Sequence, residues 1–184
     1  HTKLKYETLN KRYFPTKGLK TNISYTIYTN LHTNTAYSSL AAQVTKIFPI
    51  TLNTFIIPTI YGRFIFNDGI PFMYSNVIGG EGYNPHYEQQ IPFSGLTHTE
   101  STLKLLGNAQ IQVRHKFHEK QYLTLSGNYA IHQNQFSNFL QGKKIYGTSI
   151  GYGYDSPLGP IEGFICYSNR TNKLGFYLNI GFGF

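Results

Sequence analysis

The sequence predicts an all-β protein, an antiparallel up-and-down transmembrane β-barrel, and three observations carry that prediction. Aromatic residues make up 16% of the chain, with 16 Tyr and 14 Phe, while charged residues make up 13%. The charged share is about half that of an ordinary soluble domain, which leaves little to cover a water-facing surface. Apolar and polar residues alternate with a period of two along almost the whole length, as strands with two different faces require. No run of about 18 consecutive apolar residues occurs, so a helical membrane span is excluded. Mean hydropathy is slightly negative, as expected of a spanning barrel, whose polar lumen side dilutes the average.

Nine strand candidates follow one another, at about residues 2–9, 19–30, 36–48, 52–65, 102–117, 121–132, 144–155, 160–168 and 174–184. Most reach the roughly 9 to 11 residues that a tilted strand needs to cross a bilayer. The first two are joined through Tyr13-Phe14-Pro15-Thr16-Lys17-Gly18, a Pro/Gly-bounded turn in which Pro15 fixes φ and Gly18 tolerates φ > 0. The third and fourth meet at Pro49–Thr51, the fifth and sixth at His118–Lys120, and the seventh and eighth at Ser156-Pro157-Leu158-Gly159, a reverse turn. In the fifth, Leu103, Leu105, Ala109, Ile111 and Val113 oppose Lys104, Asn108, Gln110, Gln112 and Arg114. In the ninth, Leu174, Phe176, Leu178, Ile180, Phe182 and Phe184 oppose Gly175, Tyr177, Asn179, Gly181 and Gly183. One face suits lipid and the other a lumen.

Connections after even-numbered strands are longer, that of about 66–101 by far the longest. Short turns on one side and long loops on the other are the asymmetry of bacterial outer-membrane barrels, whose periplasmic turns are short. The chain therefore reads as one outer-membrane β-barrel domain over 1–184, its long loop extracellular or folded inward. With nine strands the first would start outside the cell, whereas bacterial single-chain barrels have an even strand number. Upstream strands, or a partner chain, are expected to close the open edge, where unpaired backbone in lipid costs several kcal/mol per group.

The net charge of +8 is scattered and accompanies no nucleic-acid motif, so no nucleic-acid partner is expected. Basic residues near strand ends, such as Lys116 and Lys143-Lys144, suit the phosphates of outer-membrane lipid. Cys166 is the lone cysteine and reads as a small strand residue. His115 and His118 lie three apart at a strand end, pointing to opposite faces if extended, so neither a metal nor another cofactor is expected. Gly147-Thr148-Ser149-Ile150-Gly151 lacks the spacing of a nucleophile elbow, so no catalytic residue is assigned. A charge facing lipid at midplane costs about 2 to 4 kcal/mol. Arg63, Glu81, Arg114 and Asp155 are accordingly expected to face inward as a network holding the long loop. Tyr122, Tyr152, Tyr154 and Tyr177 are expected near the interfaces as aromatic girdles.

Three stretches, in order, resemble the C-terminal part of the BamA-like outer-membrane superfamily, whose last domain is called the bacterial surface antigen domain. Tyr6-Glu7-Thr8-Leu9-Asn10-Lys11-Arg12-Tyr13-Phe14-Pro15-Thr16-Lys17-Gly18 is similar to one family turn, and Tyr152-Gly153-Tyr154-Asp155-Ser156-Pro157-Leu158-Gly159-Pro160-Ile161 to a turn between late strands. The final strand, with Phe176, Ile180, Phe182 and Phe184, resembles the signal read by the barrel-assembly machinery. The resemblance implies a sixteen-stranded barrel of which these are the last nine strands. In the insertases and secretion transporters of that superfamily the large loop carries an Arg-Gly-Phe/Tyr signature. The matching stretch here, Ile78 to Phe93, contains no Arg. Its Gln89-Gln90-Ile91-Pro92-Phe93 ending looks like the branch whose barrel follows a patatin-like phospholipase domain. That implies a barrel anchoring and exporting a lipase whose active site is not in this chain, with an insertase or translocase barrel as the alternative.

Overall fold

The computed structural model describes residues 1–30, 35–66, 74–80, 89–96 and 98–181. The strands β1 (Thr2–Glu7), β2 (Gly18–Asn30), β3 (Thr35–Pro49) and β4 (Thr54–Ile65) come first. Short β5 (Asn76–Ile78), β6 (Gln90–Ile91) and β7 (Glu100–Thr102) follow, and then β8 (Leu105–His118), β9 (Gln121–Gln133), β10 (Lys143–Ser156), β11 (Gly159–Ser168) and β12 (Leu174–Ile180). Among the described residues one nine-stranded antiparallel sheet runs β1-β2-β3-β4-β8-β9-β10-β11-β12, and the short strands form a second sheet, β6-β5-β7. Each of the nine predicted spans meets a strand of the large sheet. Phe182 and Phe184 lie outside the described residues.

The two faces of the sheet are inverted relative to a water-soluble protein. Outward side chains are apolar and exposed, as with Ile60 (67%), Ile111, Leu125, Ile150, Ile165 and Phe176 (67%). Inward side chains are polar and buried, among them Asn108, Thr124, Ser126, Asn128 and Ser149. Such a sheet places its apolar face in lipid and its polar face toward a lumen. The inner face is concave, since residues of β2, β3, β4, β8, β9 and β11 line a single recess of about 250 Å³.

The short turns close by local hydrogen bonds. Thr51 Oγ1 accepts from the Asn53 and Thr54 amides at 3.3 and 3.0 Å, and Ser156 Oγ donates to the Gly159 carbonyl at 2.5 Å. Gly159 sits at φ 109, a left-handed conformation that side chains resist.

The turn between β1 and β2 begins before Tyr13, closing between Asn10 and Lys17. The ladder runs on past β1, with the Thr8 amide donating to Leu19 O at 2.8 Å and Asn10 to Lys17 O at 3.3 Å. Asn10 Oδ1 then accepts from the Thr16 and Lys17 amides. This frees residues 11–16 to fold inward. Phe14, at φ 44, is fully buried and stacks on Tyr122 at 4.3 Å with the rings 2° from parallel. The Arg114 guanidinium lies 5.4 Å from the Phe14 ring centre, and Gly153 leaves the space that the ring edge occupies. Tyr122, expected in an outer girdle, is therefore inside and only 1% exposed: its alternation places it inward, and an aromatic ring from the turn covers it. Tyr152, on the outer face of β10, is exposed and packs with Phe117 at 6.1 Å.

A non-glycine residue held in the left-handed region costs on the order of 1–3 kcal/mol and persists only where its surroundings impose it. Phe14→Ala is expected to lower stability by about 3 kcal/mol, the low end for emptying a buried Phe site. The urea midpoint of lipid-reconstituted protein measures it, and an unchanged midpoint would mean that the turn does not hold the inner wall.

Candidate functional site: a loop seated in the lumen

The chain between β4 and β8 is long, yet the two strands pair without a gap from Thr54↔His115 to Phe64↔Leu105. The inserted segment therefore leaves the sheet and returns to the same place. Its described parts pack on the inner face. Ile78, Ile91, Phe93 and Leu96 form one buried cluster with Leu106, Ala130 and Ile145 of the wall, with Tyr61 packed against it. Within the segment, β5 pairs parallel with β6 and antiparallel with β7. The Gly80 amide donates to Leu96 O at 2.6 Å and the Phe93 amide to Gly80 O at 2.8 Å, so the tip is internally braced before it meets the wall.

Three anchors hold it there. At its base Asn76, fully buried, accepts from Arg63 Nη1 at 2.8 Å and donates through Nδ2 to the Leu103 and Lys104 carbonyls, each at 2.8 Å. One amide thus ties the start of the segment to its end and to β4. Arg63 donates further to Tyr74 O and Ser39 Oγ. At the tip, Ser94 Oγ lies 3.1 Å from Ser126 Oγ and 3.2 Å from Ser149 Oγ, which are 2.6 Å from each other. All three hydroxyls are buried. Asn128, with its amide oxygen turned to the tip, accepts from the Ser94 amide at 2.6 Å. At the far side Gly95 abuts the backbone of Tyr167 and Ser168, and Arg170 Nε donates to Glu100 at 3.0 Å.

The tip reaches the wall because β10 is bare beneath it. Gly147 faces inward, and a Cβ there would overlap the Ser94 carbonyl and press the Phe93 ring. A glycine inside a strand often marks such a close backbone approach.

The expected inward charges are placed as follows. Arg63 holds the base of the loop. Arg114 is buried against Phe14 of the first turn, and its Nε and Nη1 make no hydrogen bond among the described residues. Asp155 is at the β10–β11 hairpin, its amide donating to Lys120 O at 2.8 Å, and Glu81 lies outside the described residues. On β12, Phe176 and Ile180 point outward and are exposed. His115 contacts Thr54 across the ladder at 2.9 Å. Asn76, Ser94, Ser126 and Ser149 escape sequence reading because each looks like an ordinary loop or lumen residue. The usable signal was the inward glycine row Gly147, Gly151 and Gly153.

The polar contacts here clamp one segment to the inner face of the sheet. Among curated proteins none matches the chain. A family model described as the OMP85 superfamily matches residues 1–184. With a membrane-type sheet and an inward-seated loop already in view, that match over its whole length shows that the chain belongs to the OMP85 superfamily of outer-membrane β-barrel proteins.

Proposed function

We propose that this chain is the barrel of an outer-membrane protein that anchors, and exports, a patatin-like phospholipase domain carried upstream in the same polypeptide. The observation that carries this reading is the tip of the inserted segment. Insertase and translocase barrels are expected to lodge an arginine there, whereas Ser94 and Gly95 make the wall contacts here and Ile78 to Phe93 contain no arginine. A tip clamped by neutral hydroxyls suits a closed anchor more than a working translocation path. The Gln89-Gln90-Ile91-Pro92-Phe93 ending resembles the lipase-linked branch. In this reading Arg63 anchors the loop, while Arg114 serves the turn carrying Phe14. The outer face of β12, with Phe176 and Ile180, is the surface offered to the barrel-assembly machinery. Upstream strands complete the wall beyond β1.

Intact-mass measurement and peptide mapping of the native membrane-extracted protein test this. The expected result is a mass well above 21.0 kDa, with a Gly-x-Ser-x-Gly domain and further strands ahead of His1. Repeated POTRA domains without a lipase would overturn it in favour of an insertase or translocase.

A further inference from the structure

At the rim away from the short turns, the connection between β9 and β10 does not rise off the barrel. It forms a 3-10 segment over Phe136–Gln141, kinked at Asn138, that buries none of its residues and leans on the outer face. Phe139 lies on Gly107, where a Cβ would come within 3.0 Å of its ring. Gly107 and Gly62 are register partners across β8 and β4, so two missing side chains make a shallow trough on the outward face. Phe64 borders it, 5.6 Å from Phe136 and 6.4 Å from Phe139 by ring centres, and Phe66 stacks near Phe136 at 6.5 Å. Leu105, outward by alternation, is 1% exposed, so the outer surface is covered at this level. The helix nonetheless presents Phe136 (60%) and Leu140 (76%) outward.

The surroundings identify what meets them. Gly107, Ile131 and Lys144 are successive register partners across β8, β9 and β10, so Phe139 and Lys144 share a row about 10 Å wide at the usual strand spacing. The row below holds the exposed pair Tyr129 and Tyr146, and the patch is continuous with the lipid-facing belt. Lys144 is outward by alternation and exposed, whereas Lys143, the register partner of His132, takes the inward side. Residues 120–154 include no Asp or Glu. Exposed phenylalanine and leucine at the rim, a tyrosine pair one row further along the strands and an outward lysine match a membrane interface that carries negative headgroups.

We propose that Phe136–Lys144 is a binding site for an anionic, phosphate-bearing lipid of the adjoining leaflet, with Phe136 and Leu140 against its apolar part and Lys144 at the phosphate. The proposal rests on the barrel reading alone and is independent of any attached lipase. It is tested on the full-length protein reconstituted into phosphatidylcholine vesicles with or without phosphatidylglycerol. This chain has no Trp, so Phe136→Trp adds a reporter read as the fluorescence increment over the parental protein. That increment is expected to be quenched by brominated acyl chains and spared by aqueous iodide. Lys144→Gln is expected to lower retained phosphatidylglycerol, counted by native mass spectrometry, about fivefold. Heat-modifiable migration on gels checks that each variant is folded. Iodide quenching would overturn the proposal by placing the helix in water. Acyl-chain quenching with unchanged phosphatidylglycerol retention would overturn phosphate recognition.

Discussion

Gly147→Val is expected to unseat the inserted segment and open the lumen. The atoms that a Cβ would meet are the Ser94 carbonyl and the Phe93 ring, and a backbone carbonyl cannot rotate out of the way as a side-chain end can. The tip must therefore lift. Lifting it costs two hydroxyl contacts at Ser94, each worth about 1 kcal/mol net, and exposes Phe93, whose burial contributes about 2 kcal/mol. The loss is about 4 kcal/mol in all. Planar-bilayer recordings of the full-length protein should show conductance steps that are rare in the parent, and proteases should nick residues 89–96. Gly127→Ala, where a Cβ meets nothing within 4 Å, should leave both unchanged. Equal conductance in parent and Gly147→Val would mean that the segment does not occlude the lumen.

The second large effect is expected at the base. Asn76→Leu keeps the volume but removes the acceptor from Arg63 Nη1 and the two donors to Leu103 and Lys104. A hydrogen bond to a buried charge contributes roughly 1.5–3 kcal/mol and each neutral bond about 1 kcal/mol. The sum is about 4 kcal/mol, since Arg63 is itself only 4% exposed and cannot find water without moving. Hydrogen exchange of the amides at 74–80 and 100–104 reads this directly, with protection expected to collapse. Arg63→Met combined with Asn76→Leu should recover much of it, because removing both partners spares the cost of an orphaned charge. If the double variant exchanges as fast as Asn76→Leu alone, the anchor works through backbone ties and Arg63 is incidental.

The strands were legible because lipid and lumen impose opposite demands on alternate residues, and that demand is written at every second position from Gly18 to Ile180. The short turns were legible where chemistry is local, as at Ser156–Gly159. Phe14 was not. Nothing near it in sequence says that its ring will cross to β8, β9 and β10, because its partners Arg114, Tyr122 and Gly153 are a hundred or more residues away. Arginines were assigned inward correctly in kind, since charge cannot face lipid, but alternation gives a face and not a depth. Arg63 and Arg114 were grouped as one network, yet one meets the inserted segment and the other meets the first turn. The serine clamp was invisible for a related reason: hydroxyls on a lumen wall look the same whether they meet water or a loop.

The way the inserted segment is wired also orders events in time. Its wall contacts reach back to Arg63 and forward to Ser126, Ser149 and Arg170, with Thr171 touching Gly95 across 76 residues of sequence. Contacts so distant form slowly, because loop closure must precede the reward of pairing. Yet the strands on either side of the segment, β4 and β8, are direct neighbours. The segment leaves and rejoins at one rim, so it can enter from there, but its landing places at Ser126, Ser149 and Tyr167 exist only once β9, β10 and β11 have registered. Its seating is therefore a late event that reports on the pairing of strands far along the chain.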